Sequence, residues 1–90
     1  MIPKHRVPTH PGTILLEEFL EPMEMSQVEL ARRMGVPIQR VNTLVNGKRD
    51  VTAETAILLA RVLKTTSEFW MNLQVARDLY KASKHLGRAA

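Results

Sequence analysis

Between Gln39 and Asn46 stand five side chains suited to directional hydrogen bonding: Gln39, Arg40, Asn42, Thr43 and Asn46. An arginine can donate two parallel bonds to the O6 and N7 edge of guanine, and a glutamine can pair with the N7 and N6 edge of adenine. Each such pair contributes on the order of 1–3 kcal/mol of discrimination against the wrong base. Lys48 and Arg49 follow at once and offer cations to phosphates, which position a protein on DNA without reading it. On this reading Gln39, Arg40, Asn42 and Thr43 face bases, and Lys48 and Arg49 face the backbone.

Catalytic chemistry finds no comparable grouping. His5, His10 and His85 lie in or near the two ends and lack the i, i+4 spacing of helical metal ligands. There is no cysteine, and nothing gathers carboxylates around a histidine, so neither a metal nor another cofactor is expected. Ser26, Ser67 and Ser83 lack the glycine-flanked turn of a hydrolase nucleophile, and no glycine-rich phosphate loop is present. Glu17 and Glu18 are adjacent on a helix and point in different directions, so they do not flank one substrate. The chain reads as a binding protein rather than an enzyme.

The elements that must hold these side chains are two short helices joined by a tight turn, over residues 26–47. Leu30, Ala31 and Met34, then Val41, Leu44 and Val45, give each half a buried face at three- and four-residue spacing. Ser26 and Glu29 form a capping box, in which the hydroxyl accepts from the Glu29 N–H and the carboxylate reaches back to the Ser26 N–H. Gly35 supplies the left-handed residue that ends the first helix, Pro37 suits the first turn of the second, and Gly47 ends that one.

Around this pair the pattern predicts three more helices and an all-α fold. Pro11 and Gly12 introduce a helix over TILLEEFLEP, with Ile14, Leu15 and Phe19 buried and Pro22 closing it. Thr52 caps a fourth helix whose Ala56, Leu59, Ala60 and Leu63 belong to the core. Thr65, Thr66 and Ser67 cap a fifth, roughly 68–84, with Phe69, Leu73, Ala76 and Tyr80 on one face and Trp70 beside them. The aromatic residues there either close the core or meet a second copy of the chain. Residues 1–9 read as a flexible arm, 10–84 as one domain and 85–90 as a frayed tail.

Ninety residues without cysteine make one small domain that relies on packed helices, which fits a reducing cytoplasm. The longest apolar run, Ala56 to Ala60, is far too short to cross a bilayer, and the basic start MIPKHR is followed by no apolar core. The net charge is +4, and its distribution says more than its size. Residues 1–24 carry −2, while residues 25–50 and 51–90 carry +3 each. Glu17, Glu18, Glu21 and Glu24 therefore make an acidic first helix, either a solvated face or a docking surface for a basic partner.

The stretch SQVELARRMGVPIQRVNTLVNGKR resembles the helix-turn-helix of lambda-repressor-like (Xre) domains. The flanks HPGTILLEEFLEPMEMSQ and VTAETAILLARVLKTTSEFWMNLQVARDL resemble the HigA antitoxins of toxin–antitoxin modules, also known as virulence-associated protein I. The likeness runs from Thr9 to Tyr80. Its helix-turn-helix part is shared by many unrelated regulators, whereas the HPG opening with EEFLEP and the SEFWMNLQ segment are more specific. The resemblance implies a five-helix antitoxin that binds its own operator as a homodimer, represses transcription and neutralises a HigB toxin, a small basic ribonuclease of the RelE type.

Position by position, Gln27 matches the glutamine that such domains use on a phosphate, and Gln39, Arg40 and Thr43 match positions facing base edges. Asn46 matches the asparagine that bonds the DNA backbone. Ile38 departs from the base-reading glutamine of several phage repressors and offers at most an apolar contact, and Thr13 stands where many relatives carry an acidic residue. One motif spans too few base pairs to be selective, so a dimer reading inverted half-sites about 10 base pairs apart is expected. Trp70, Leu73 and Tyr80 are its candidate interface, and Glu17, Glu18 and Glu21 are the candidate toxin contacts. The other reading is an orphan or phage-derived repressor with no toxin, and a neighbouring frame for a basic protein would separate the two.

Overall fold

The computed structural model describes residues 7–87, so most of the expected arm and the last three residues of the expected tail lie outside it. Five helices follow one another, as the pattern predicts. Helix α1 covers residues 11–23 in three segments, Pro11–Ile14, the π-helical Leu15–Leu20 and Glu21–Met23. Helices α2 (Gln27–Met34), α3 (Ile38–Val45), α4 (Ala53–Leu63) and α5 (Ser67–Leu86) complete the fold.

Helix α1 departs from expectation at both ends. It begins at Pro11 rather than Thr13, and Pro22 lies inside it instead of closing it. In an α-helical register the Pro22 ring would strike the carbonyl four residues earlier and break the ladder. Here the turn before it is widened, with the Glu21 N–H donating to the Leu16 carbonyl five residues back, and the proline is accommodated. Glu24, left-handed at φ 54, ends the helix, and the Met25 N–H returns to the Leu20 carbonyl at 2.9 Å. The wider turn also shifts the phase of the inner face. Leu15 and Leu20 are the buried residues, whereas Ile14 and Phe19, expected inside, are only half-buried.

The core is assembled from every helix: Leu15 and Leu20 of α1, Leu30, Ala31 and Met34 of α2, Val41 and Leu44 of α3, Ala56, Leu59 and Leu63 of α4, and Trp70 of α5. Thr52 caps α4 by accepting from the Thr55 N–H, and Thr66 caps α5 by accepting from the Phe69 N–H. The inner face of α5 is rotated from the one expected. Trp70 and Gln74 point inward, while Phe69 and Ala76 are exposed. One of the inner positions is held by a polar residue that a count of apolar spacing overlooks. Gln74 is buried with its Oε1 accepting from the Val51 N–H at 2.8 Å, splinting the loop before α4, and its Nε2 donates to Asp78 Oδ1 at 3.0 Å.

Trp70 is fully buried within its own chain. Its indole N–H donates to Thr65 Oγ1 at 2.7 Å, and its ring lies 5.2 Å from Phe19 and 5.0 Å from Phe69, the latter edge to face. The expectation that Trp70 contacts a second copy is therefore corrected: its ring is enclosed by its own domain. Leu73 is half-buried against the core and Tyr80 half-buried. Beyond Tyr80 every described residue is exposed, and α5 continues as helix to Leu86, past the expected end at residue 84.

Candidate nucleic-acid interface

The helix-turn-helix is built from α2, the turn at Gly35 and α3. Ser26 Oγ accepts from the Glu29 N–H at 3.0 Å, which is half of the expected capping box. The other half is not made. The Glu29 carboxylate instead accepts from Arg32 Nε and Nη2, at 3.0 and 2.6 Å, and from Arg33 Nε at 2.7 Å. Two guanidinium groups at i+3 and i+4 offer charge-assisted bonds stronger than one to a neutral amide. The bond from Arg32, then that from Arg33, holds the Glu29 carboxyl well below the ordinary range, at about 2. Gly35 ends α2 at φ 73 with open space where a Cβ would stand. Pro37 sits at the cap of α3, one position before the first turn expected for it.

Val41 and Leu44 bury the inner side of α3, leaving Gln39 and Asn46 exposed and Arg40, Asn42 and Thr43 at intermediate depth. The exposed end continues through Lys48 and Arg49. Several of these side chains are already held in place. Thr43 Oγ1 donates to the Gln39 carbonyl at 2.7 Å and accepts from Arg49 Nε at 3.1 Å, so the arginine after α3 is folded back beside it. The Lys48 N–H donates to the Thr43 carbonyl at 2.8 Å, so the basic loop leaves the helix in a defined direction. Asn42 Nδ2 donates to Gln27 Oε1, joining the start of α2 to the middle of α3.

Arg40 reaches Glu54 of α4 at 3.7 Å, a partner that the linear sequence did not suggest. Glu54 is largely exposed, so the pair is a solvated one contributing under about 1 kcal/mol. A bidentate bond to guanine contributes more, and Arg40 can leave Glu54 for it at little cost.

The HPG opening has a structural role that the sequence only hinted at. His10 caps α1, its Nδ1 accepting from the Gly12 N–H at 2.8 Å. Gly12 is pressed against the last turn of α3, so closely that a Cβ on it would stand 1.8 Å from the Leu44 carbonyl oxygen. On the far side Arg77 of α5 donates from Nη1 to the Pro8 carbonyl at 2.9 Å. The start of α1 thus buttresses the end of α3. Burial first, then the positive charge of Arg77, lowers the His10 pKa below its ordinary value.

Glu17, Glu18, Glu21 and Glu24 are all exposed on α1. Glu21 and Glu24 also line an open groove of about 400 Å³ at the corner between α1 and α2, together with Leu16, Leu20, Met25, Ser26 and Gln27. On α5, Val75, Leu79 and Leu86 are exposed, and their spacing of four and seven residues puts them on one side of the helix. Among the described residues no helix is long and apolar enough to cross a membrane.

The helix-turn-helix family matches residues 16–70. Antitoxin HigA-1 of Vibrio cholerae is 47% identical over 75 residues, which cover 83% of this chain and 70% of that protein. The solved structure of an addiction module antidote protein of the HigA family from Coxiella burnetii superimposes with a TM-score of 0.85 at 44% identity, over 92% of this chain and 90% of that one. The Pseudomonas aeruginosa antitoxin HigA, solved with the higBA promoter, superimposes with a TM-score of 0.84 at 38% identity, over 92% and 95% of the two chains.

Proposed function

Since the chain belongs to the HigA-type helix-turn-helix family, we propose that it is an antitoxin that binds its own operator as a homodimer, represses transcription there and neutralises a HigB-type ribonuclease toxin in the cytoplasm. The observation that carries this reading is the outward face of α3. Gln39 is exposed, Arg40 is held only by a solvated carboxylate, and Arg49 is locked beside them through Thr43. Gln39 and Arg40 read base edges. Thr43 contributes its methyl group and orients Arg49. Asn42 is assigned to bracing α3 against Gln27, since its amide is engaged there, and Gln27, Asn46, Lys48 and Arg49 hold phosphates.

Fluorescence anisotropy on the DNA upstream of its own gene and on a scrambled duplex tests the reading. The wild type is expected to prefer its own DNA. A Gln39→Ala/Arg40→Ala variant is expected to lose that preference, about 1–3 kcal/mol for each base pair read, while keeping salt-sensitive binding to both. Equal binding of the two duplexes by the wild type would defeat it.

Dimerisation is assigned to the exposed stripe of α5 formed by Val75, Leu79 and Leu86, without Trp70; Leu73 and Tyr80, seven residues apart, share another side of the helix and are half-buried. Light scattering at micromolar concentration should show a dimer for the wild type and a monomer for Leu79→Glu, because a carboxylate in an apolar seam loses its hydration. A dimer that survives the substitution unchanged would place the interface elsewhere.

The toxin contact is assigned to α1, where Glu17, Glu18 and Glu21 are exposed and Glu21 also lines the groove at the α1–α2 corner. A basic toxin would find there both counter-charge and an apolar recess. Co-purification with the product of a neighbouring frame, tagged on that product, should be lost for Glu17→Lys/Glu21→Lys, while operator binding persists. Undiminished co-purification would move the toxin surface off α1.

A further inference from the structure

We propose that His10 is a positioning residue for operator binding: only its neutral form holds the start of α1 against the end of α3, so that acid loosens the helix that reads DNA. The inference rests on the DNA-binding reading above. Three observations place this side chain at the junction of α1 and α3. Nδ1 accepts from the Gly12 N–H at 2.8 Å, the ring lies 3.8 Å from where a Cβ on Gly47 would stand, and Gly12 itself abuts the Leu44 carbonyl. The ring therefore lies between the first residues of α1 and Gly47, two positions past the end of α3.

The bonding determines the tautomer. With Nδ1 accepting, the single ring proton sits on Nε2, and Nε2 is buried without a hydrogen-bond partner. Protonation puts a second hydrogen on Nδ1, facing the Gly12 N–H, so that two donors confront each other and the cap is lost. It also places a positive charge at the start of a helix, the end where the macrodipole disfavours cations. The surroundings oppose it further. Arg77 and Lys81 of α5 repel the charge, and Asp50 in the loop after α3 and the Arg49 backbone, which both favour the protonated ring, offset part of that. The facing turns of α1 and α3 contribute no charged side chain.

The sign follows from linkage. A histidine whose pKa is lower in the docked state binds more protons when undocked, so the docked state is fully favoured above the ordinary value of 6.5 and weakens as pH falls below it. Simple electrostatics predicts the reverse for DNA affinity, because an extra positive charge should tighten binding to phosphates.

The experiment follows binding to its own upstream DNA from pH 7.5 to 5.5 at constant ionic strength, for the wild type and for His10→Asn and His10→Ser, which keep a capping oxygen that does not titrate. The wild type is expected to lose about fivefold in affinity at the acid end, the factor corresponding to loss of one helix cap, while both variants stay flat. Parallel profiles in all three proteins, or tighter binding by the wild type in acid, would overturn the proposal. Nuclear magnetic resonance of the free protein supplies a readout independent of DNA. The Gly12 and Gly47 amide signals should move with the His10 ring along one titration curve with a midpoint below 6.5, and amides that ignore the ring would overturn the proposal even if DNA binds. Failure of the wild type to prefer its own DNA at pH 7.5 would instead remove the DNA reading, leaving the resonance titration to decide the capping role.

Discussion

Replacing Trp70 with alanine is expected to lower the unfolding free energy by about 3–5 kcal/mol, the range for deleting a large buried aromatic side chain. A small domain is stabilised by only about 5–15 kcal/mol in all, so this one substitution removes a large share of it, and all of it if the domain stands at the lower end of that range. The reasons are additive at one site. The ring is fully buried, it packs edge to face on Phe69 and against Phe19, and its N–H is satisfied by Thr65. Circular dichroism during urea unfolding measures the loss, since Trp70 is the one tryptophan and its removal takes the fluorescence probe with it. Trp70→Phe should retain most of the packing and cost about 1–2 kcal/mol through the unsatisfied Thr65 hydroxyl and the smaller ring. A Trp70→Phe protein of undiminished stability that no longer dimerised would show that the indole serves a partner after all.

A single methyl group at Gly12 is expected to cost about 3 kcal/mol or more, equivalent to roughly 15 °C in the midpoint of thermal unfolding. Two effects oppose each other. Alanine is the better helix former by about 1 kcal/mol, which favours the variant. Against that, the new Cβ would stand 1.8 Å from the Leu44 oxygen and 2.7 Å from its carbonyl carbon. The obstacle is backbone rather than the end of a side chain, and the Leu44 carbonyl is also held by the Gly47 N–H at 3.0 Å. The clash wins, and relief requires α1 to move off α3. Gly12→Ala should therefore lose preference for its own upstream DNA together with stability. Gly35→Ala offers the contrast: nothing lies within 4 Å of its Cβ, and the cost is the left-handed conformation alone, about 1–2 kcal/mol. Equal thermal midpoints for the two variants would argue against a close α1–α3 contact.

These two sites show how unevenly the molecule could be read in advance. The helix-turn-helix was legible because its signals are local: Ser26 caps at three residues' distance, Gly35 takes the left-handed residue between two helices, and Leu30, Met34, Val41 and Leu44 keep helical spacing. The outward side of α3 follows as the complement of its buried side. Where a polar side chain occupies an inner position, spacing misleads. Gln74 occupies the inner face of α5 where spacing of apolar residues alone places Phe69 and Ala76, and Trp70 takes the core position that is one of its two readings. Pro22 reads as a terminator because a proline breaks an α-helical ladder, but the π-helical turn over Leu15–Leu20 carries the helix past it.

Five helices, the pair that forms the helix-turn-helix and the side chains on its outer face are legible in the chain alone, because caps and helical periodicity act over three or four residues. That Glu54 holds Arg40, that Gln27 braces Asn42, and that His10 and Gly12 sit where α1 meets the end of α3 emerges only on packing. Those pairings, Arg40 with Glu54, Gln27 with Asn42, Gly12 with Leu44 and His10 with Gly47, join residues 14 to 37 positions apart, and they exist only because the packed core brings their helices together.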